Sequence, residues 1–285
     1  VTSGEHDEAL PPRDRQGAVN HQGTLAVEKG PPVILLSYRH SGAQRLQQFL
    51  WTNVDMAYTT GTGIIPLCHN AAGTWQRIEV QSARRMSQLA SASVRTQVAT
   101  LVTTILAGTG KARWCELATS SPDAAATFLR VFPEARCICV HRACTDVIYD
   151  AAKAHPWSIA VPEFGSFAGT YPGNIVATLA AYWTSYTEEL LDFEELQGNA
   201  CLRVRYEDFV TDQGKIMDRI LDFLAIDRSS AAGRDWMSPE EGETPSEAAL
   251  PGCGAAVPVA EMPPGLRARI GQLHARLGYP ALAGQ

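Results

Sequence analysis

Nine consecutive residues, Ser37-Tyr38-Arg39-His40-Ser41-Gly42-Ala43-Gln44-Arg45, gather two arginines, a histidine, two serine hydroxyls and a side-chain amide around one glycine. Cations and hydrogen-bond donors at that density suit an anion, and the flanks say how one would be held. Val33 to Leu36 is a short unbroken apolar run, and beyond Gln44 apolar residues fall at Leu46, Phe49 and Leu50, the spacing of one helix face. A buried strand that passes through a polar turn into a helix N-terminus aims free backbone N–H groups and the positive end of the helix dipole at one point. That is a P-loop-like phosphate-binding turn. Two residues further on have side chains suited to proton transfer, Glu116 and His69. A stretch rich in glycine and proline adds the aromatic residues Trp157, Phe164, Phe167 and Tyr171, which suit the wall of an apolar pocket; ordinary packing under a long loop is the competing reading.

The elements that must position these residues alternate. Ile64 to Leu67 is expected as a second strand or as a loop lining a pocket. Gln88 to Ala107 carries Leu89, Val94, Val98, Leu101, Val102, Ile105 and Leu106 on one broad face and is expected as a helix ended by Gly108 and Gly110. The run Ala112 to Leu117 is expected as a strand with Glu116 at its carboxyl end, where open α/β sheets place their ligands. Ser121-Pro122-Asp123 starts a helix, with proline at the first helical position, that runs to about Phe132 before Pro133 stops it. Arg136 to Val140 follows as a buried strand with His141 and Arg142 at its end, and a helix opens near Thr145. Ala154 to Asn174 has no clear period and is expected as a lid-like loop. Beyond it come a long helix from Ile175 to Leu196, a strand from Ala200 to Arg205, a helix from Lys215 to Leu224, an irregular stretch from Arg228 to Val259, and a last helix from Pro264 to Leu277 ended by Gly278. Strand and helix in alternation predict an α/β fold, one domain with a central parallel sheet flanked by helices over residues 31–285, behind a flexible lead-in over residues 1–30.

With 285 residues and a hydrophobic fraction of 45%, the chain can bury one sizeable core. Its net charge of −6 argues against general affinity for nucleic acid or an anionic membrane, so an anion site must be basic locally. An odd number of cysteines, seven, argues for reduced thiols rather than a disulfide framework. Cys137 and Cys139 share a strand face without histidine or cysteine partners at ligand spacing, so no metal is expected. No apolar run reaches about 18 residues, and the first residues lack the pattern of a signal peptide. A cytoplasmic location is the expectation.

Three runs, in order, resemble the bacterial branch of the sulfotransferase family that uses 3′-phosphoadenosine 5′-phosphosulfate. The family's opening strand, its loop of basic-Ser-Gly type and its helix are matched by Val33 to Leu36, by His40-Ser41-Gly42-Ala43-Gln44, and by the helix from Leu46. Its helix ending in Phe-Pro, strand and arginine motif are matched by Phe132-Pro133, Arg136 to Val140, and Arg142-Ala143-Cys144-Thr145-Asp146-Val147. Its tryptophan helix, Arg-Tyr-Glu-Asp strand end and Phe-Leu helix end are matched by Trp183, by Arg205-Tyr206-Glu207-Asp208-Phe209, and by Phe223-Leu224. Leu277-Gly278-Tyr279-Pro280 is an ending of the same kind. The match spans residues 31 to 280.

This resemblance implies in-line transfer of a sulfuryl group, without a metal, from that donor to a hydroxyl or amine of a small molecule. It assigns the donor's 5′-phosphosulfate to His40, Ser41, Gly42, Ala43 and Gln44, with His40 in the place of the family's basic residue and Ala43 and Gln44 in the places of two hydroxyl residues; Arg39 and Arg45 flank this loop and are expected to restore its charge, a solvated surface role being the competing reading for Arg45. It assigns the 3′-phosphate to Arg142 and to the position held here by Asp150. Beside a phosphate at ~4 Å, that carboxylate is repulsive by about 1 to 4 kcal/mol. Lys153 neutralising it, Asp150 facing elsewhere, and Asp150 bonding a ribose of a cofactor without the 3′-phosphate are the three ways out. For the acceptor's proton the candidates are Glu116 and His69, beside His40 on the donor. Glu116 as a structural carboxylate near Arg113 or Arg142, and His69 as a structural loop histidine, are the competing readings. Arg205 to Asp208 is expected to cap a helix and tie it to the sheet by ion pairs. Trp157, Phe164, Phe167 and Tyr171 would form the acceptor pocket. The alternative function is a sulfotransferase fold that has lost the sulfated donor and performs another transfer or a binding role. A P-loop kinase is disfavoured, because Gly-x-x-x-x-Gly-Lys-Ser/Thr does not occur.

Overall fold

The computed structural model describes residues 30–81, 86–118, 121–154, 162–227 and 252–282. Five strands, β1 (Val33–Leu36), β2 (Ala57–Thr60), β3 (Trp114–Ala118), β4 (Arg136–His141) and β5 (Cys201–Arg205), form one sheet in the order β2-β3-β1-β4-β5. Every neighbouring pair is parallel, with Ile34 opposite both Glu116 and Cys137. The helices are α1 (Ala43–Asn53), α2 (Ile64–Gln81), α3 (Met86–Thr109), α4 (Pro122–Val131), α5 (Cys144–Ala154), α6 (Pro162–Thr170), α7 (Ile175–Gln197), α8 (Tyr206–Thr211), α9 (Gln213–Phe223) and α10 (Pro264–Leu277).

The unbroken apolar character of β1 follows from its place at the centre of the sheet, where alternate side chains enter two separate cores. Val33 and Leu35 face Leu46, Phe49 and Leu50 of α1 with Phe209 of α8 and Ile216 and Ile220 of α9. Ile34 and Leu36 face the other core, built from Val94 and Val98 of α3, Phe128 of α4, Val147 of α5, Trp183 of α7 and Ile270 of α10. Thus α1, which leaves β1, and α5, which leaves β4, pack on opposite faces of the sheet. Helices diverging from adjacent strands open a crevice at the carboxyl ends of those strands, the usual place for a ligand in such sheets. Tyr38 and Arg142, just beyond the ends of β1 and β4, meet there.

Ser121 caps α4 as its sequence predicts, accepting a hydrogen bond from Ala124 N at 3.3 Å, and α10 ends at Gly278 in the left-handed conformation. Three expectations are corrected. Ile64 to Leu67 is neither strand nor loop but the first turn of α2: Gly61 and Gly63, both at positive φ, break the chain after β2, Thr62 Oγ1 accepts from Ile64 N, and Ile64, Ile65 and Cys68 are buried at helical spacing. The second strand is the more polar Ala57–Thr60, at the sheet edge. Within the stretch read as a lid, residues 162–170 are the helix α6. Phe164, Phe167 and Tyr171 recur at intervals of three and four, so one helical side carries all three aromatics against α7. Glu116 sits in the middle of β3, which continues to Ala118, and not at its end. The segment 1–29, Trp157 and residues 228–251 lie outside the described residues.

Candidate functional site

The turn between β1 and α1 is shaped by its backbone. Ser37 N donates to Ala118 O at 3.1 Å, which fixes the exit of β1 against β3, and Ser41 N returns to Tyr38 O at 3.2 Å. His40 has φ +63° and Gly42 φ +83°. At Gly42 a Cβ would lie 2.2 Å from the ring of Tyr206, so the sharp turn and the close packing both require glycine. Ser41 Oγ accepts from Ala43 N at 3.3 Å. Helix α1 then begins with neither a side-chain cap at Gly42 nor an acidic residue in its first turn, leaving its positive end uncompensated by its own residues. Arg39 and Gln44 point outward and Arg45 is half-buried, its Nη1 reaching Tyr206 Oη at 3.4 Å.

Arg142 closes the other side of the crevice, and its backbone is clamped. Tyr38 Oη donates to Arg142 O at 3.1 Å and accepts from Arg142 N at 3.0 Å, while Trp183 Nε1 donates to the same carbonyl at 2.9 Å. Its side chain is fully buried and paired through Nη1 with the chain's own groups. Nη1 pairs with Asp150 and donates to His40 O at 2.9 Å, Nη2 lies 3.9 Å from Cys253 Sγ, and the guanidinium stands over the Tyr206 ring at 4.7 Å. Asp150 therefore faces Arg142, and Lys153 is exposed to solvent.

Two further carboxylates gather here. Asp146 accepts from Gly252 N at 2.8 Å and Gly254 N at 2.7 Å, pressing the turn 252–256 onto the start of α5; a Cβ on Gly254 would lie 2.2 Å from the Thr145 carbonyl carbon. Glu207 accepts from Ala143 N at 2.9 Å, and burial together with Asp146 pushes its carboxyl above the usual range despite that bond. Burial, then Asp146 and Asp150, push the Cys253 thiol up to about 11.

The other sequence-predicted residues separate into groups. Both oxygens of Glu116 are engaged: Oε2 by the Thr59 hydroxyl, and Oε1 by Thr62 N at 3.0 Å and Thr62 Oγ1 at 2.9 Å. Trp114 Nε1 completes this set by donating to Thr59 Oγ1 at 2.7 Å, so the partners of Glu116 are neither Arg113 nor Arg142. Arg113 Nη1 instead donates to Leu224 O. His69 is a helix residue rather than a loop residue, with Nδ1 3.0 Å from Thr127 Oγ1 and Nε2 3.7 Å from Asp123, both on α4. Phe164 is buried edge-on against Tyr182 at 4.8 Å, with Phe167 at 6.1 Å from the same ring, and Tyr171 is half-buried below them. Tyr182 Oη accepts from Arg39 N at 3.0 Å, joining this aromatic wall to the anion turn. Arg205 pairs with Asp208 at 2.7 Å and donates to Gly278 O at 2.6 Å, tying β5 and α8 to the end of α10.

Tyr38, Tyr182, Tyr206, Asp146 and Cys253 all shape the crevice and escaped the sequence reading as site residues. Three of them carried a signal: Tyr38 by its place in the opening basic stretch, and Asp146 and Tyr206 by their places in the recognised runs that start at Arg142 and Arg205. Among the described residues no group of three or more His, Cys, Asp or Glu side chains is placed to hold a metal, and no helix is long and apolar enough to cross a membrane. All seven cysteines are free thiols.

A five-stranded, all-parallel sheet flanked by helices defines an α/β protein. Residues 31–230 match the model of the sulfotransferase family, and the chain belongs to that family. No curated protein matches it in sequence. Among solved structures, it resembles the sulfotransferase domain of the curacin biosynthetic pathway (TM-score 0.57, 13% identity, 88% of this chain and 98% of the other). Similar too are the sulfotransferase domain of the Synechococcus PCC 7002 olefin synthase (0.52, 17%, 88% and 95%) and a sulfotransferase from Alicyclobacillus acidocaldarius (0.51, 11%, 88% and 96%). At these identities the likeness is one of fold.

Proposed function

We propose that this chain transfers a sulfuryl group from an adenosine 5′-phosphosulfate donor, the group of compounds to which 3′-phosphoadenosine 5′-phosphosulfate belongs, to a hydroxyl or amine of a small metabolite. The observation that carries this reading is the β1–α1 turn: an uncapped helix start beside Arg39, His40 and Arg45, in a chain of the sulfotransferase family. The acceptor oxygen or nitrogen attacks sulfur, the bond from sulfur to the bridging phosphate oxygen breaks, and the nucleotide leaves with that electron pair. Backbone N–H groups of the turn and the arginines stabilise the charge that develops on the leaving phosphate. His40, when protonated, donates to the bridging oxygen. With both Glu116 oxygens held by Thr59 and Thr62, the reading gives Glu116 the positioning of the turn after β2. It gives the acceptor's proton to His69, which Asp123 orients. Phe164, Phe167 and Tyr171, with Tyr182 and Tyr186, wall the acceptor side.

The test is incubation of the full chain with donor and a panel of phenols, alcohols and amines, read by mass spectrometry for the gain of one SO3 group. Product is expected, and the Arg39→Ala/Arg45→Ala double variant is expected to lose it while staying folded. No product with any acceptor, together with no nucleotide-induced rise in melting temperature, would overturn the reading. The buried Arg142–Asp150 pair favours a second reading, in which the fold is retained and the sulfated donor is not. Nucleotide binding without product on any acceptor is its expected result.

A further inference from the structure

The two sides of the crevice offer a ligand opposite things. At the β1–α1 turn a helix start without cap or acid, an exposed Arg39 and a half-buried Arg45 place positive charge beside the turn. At the end of β4 the Arg142 guanidinium is enclosed, with Nη1 held by Asp150 and His40 O and Nη2 3.9 Å from Cys253 Sγ. Asp146 adds a second carboxylate within Coulombic reach of Arg142, and Glu207 a third on the neighbouring Ala143 N. The turn 252–254 seals this set by two backbone bonds to Asp146, with Gly254 packed so tightly on Thr145 that the turn has no slack there.

Resting on the function proposed above, we infer that the donor is a nucleoside 5′-phosphosulfate with a free 3′-hydroxyl, because Asp150 already occupies, beside Arg142, the place a second phosphate would take. A ligand whose 5′ end lies in the β1–α1 turn and whose ribose lies over the crevice directs its 3′ substituent at the end of β4. A hydroxyl there meets neutralised charge. A phosphate dianion meets Asp150, Asp146 and Glu207 around a cation already paired with Asp150, and must break that buried ion pair to enter. Asp150 is thus a specificity determinant against 3′-phosphorylated nucleotides.

The experiment is a thermal-shift and calorimetric panel on the full chain with adenosine 5′-phosphosulfate, adenosine 5′-phosphate, 3′-phosphoadenosine 5′-phosphosulfate and 3′-phosphoadenosine 5′-phosphate at equal concentrations. The forms with a free 3′-hydroxyl are expected to bind at least tenfold more tightly than their 3′-phosphorylated counterparts. In Asp150→Ser, and more weakly in the isosteric Asp150→Asn, that ratio is expected to fall or reverse. Equal affinity, or tighter binding of the 3′-phosphorylated forms by the unaltered chain, would overturn the inference while leaving the sulfuryl-transfer reading intact. Should neither variant fold, the panel on the unaltered chain decides alone. No binding of any of the four at millimolar concentration would instead remove the function on which the inference rests, and the inference with it.

Discussion

The β1–α1 turn and the Arg142 pocket lie side by side at the carboxyl end of the sheet, yet they treat charge in opposite ways. The turn keeps its cations at the surface and its carboxylates away: Arg39 is exposed, and no acidic residue enters the first turn of α1. The pocket keeps its cation inside, with the Arg142 side chain 0% and the Asp150 side chain 1% exposed. Exposed charge is cheap to hold and available to a ligand; buried charge persists only when paired, and the pairing spends it. A single structural element links them, since Arg142 donates to His40 O and stands over the same Tyr206 ring that packs against Gly42.

The sharpest way to break this contrast is to remove half of the buried pair. Arg142→Met leaves Asp150 buried without its cation, and breaking such a pair is expected to cost about 3 to 5 kcal/mol. Chemical denaturation should report that loss as a lower midpoint. Arg142→Met combined with Asp150→Leu removes both charges and should recover most of it. A double variant as unstable as the single one would show that the arginine acts through packing on Tyr206 rather than through charge. Next in size is Gly42→Ala. Its Cβ would enter the Tyr206 ring at 2.2 Å on a backbone at φ +83°, so overpacking and left-handed strain together cost about 2 to 4 kcal/mol. Coupling that substitution with Tyr206→Ala in a double-mutant cycle separates the clash from the strain, and a shortfall of the combined loss from the sum measures the clash.

How much of this was legible beforehand follows the range of the interactions. The β1 run, the Ser121-Pro122 helix start and the Gly278 stop are local, and each was readable because a strand at the sheet centre, a cap and a left-handed glycine leave marks within a few residues. Ile64 to Leu67 was misread because four apolar residues satisfy a strand and a helix start equally; what decides is the burial of Cys68 one turn later and the two glycines before it. The partners of Glu116 lie on Thr59 and Thr62, across a strand pairing that no local pattern announces. Asp150 shows the limit best. Its charge made it hostile to a phosphate in the sequence, and that stands as an argument about a ligand, but its actual partner became visible only once a loop and two helical turns folded it back onto Arg142.

A smaller effect distinguishes the carboxylates by pH. Burial raises the Glu207 carboxyl above its unfolded value, near 4.3 for a free glutamate, with Asp146 adding to the rise. A raised carboxyl contributes stability that is complete below about pH 4.3 and is lost as pH climbs through the folded value. Burial acts in the same direction on Glu194, but there it is outweighed by His141 Nε2 at 2.8 Å and by Arg203, so the carboxyl ends below its usual range. Its contribution is present above about pH 4.3 and is lost as pH falls through the folded value. Denaturation curves between pH 3 and 8 should therefore move in opposite senses. Glu207→Gln removes a stability loss that grows toward neutrality, and Glu194→Gln removes a gain that grows in the same direction. Parallel curves for the two variants would contradict the pocket's excess of negative charge.

The smallest expected effect on the folded state falls at the other side of the crevice. Arg39→Ala is expected to change the denaturation midpoint little, because Arg39 is exposed and alanine keeps the backbone bond from its N to Tyr182 Oη. Arg45→Ala gives up a long contact to Tyr206 Oη at 3.4 Å and should cost little more. Affinity for inorganic pyrophosphate is where both should show: a loss of about threefold to tenfold each at low salt, fading as salt shortens the screening length from about 10 Å at 0.1 M toward 3 Å at 1 M. Buried pairs are screened far less, so the denaturation loss in Arg142→Met should persist across the same salt series. Salt is thus the variable that separates the two sides. If the pyrophosphate affinity of the unaltered chain were indifferent to it, the cations of the turn would not be the ones holding the anion.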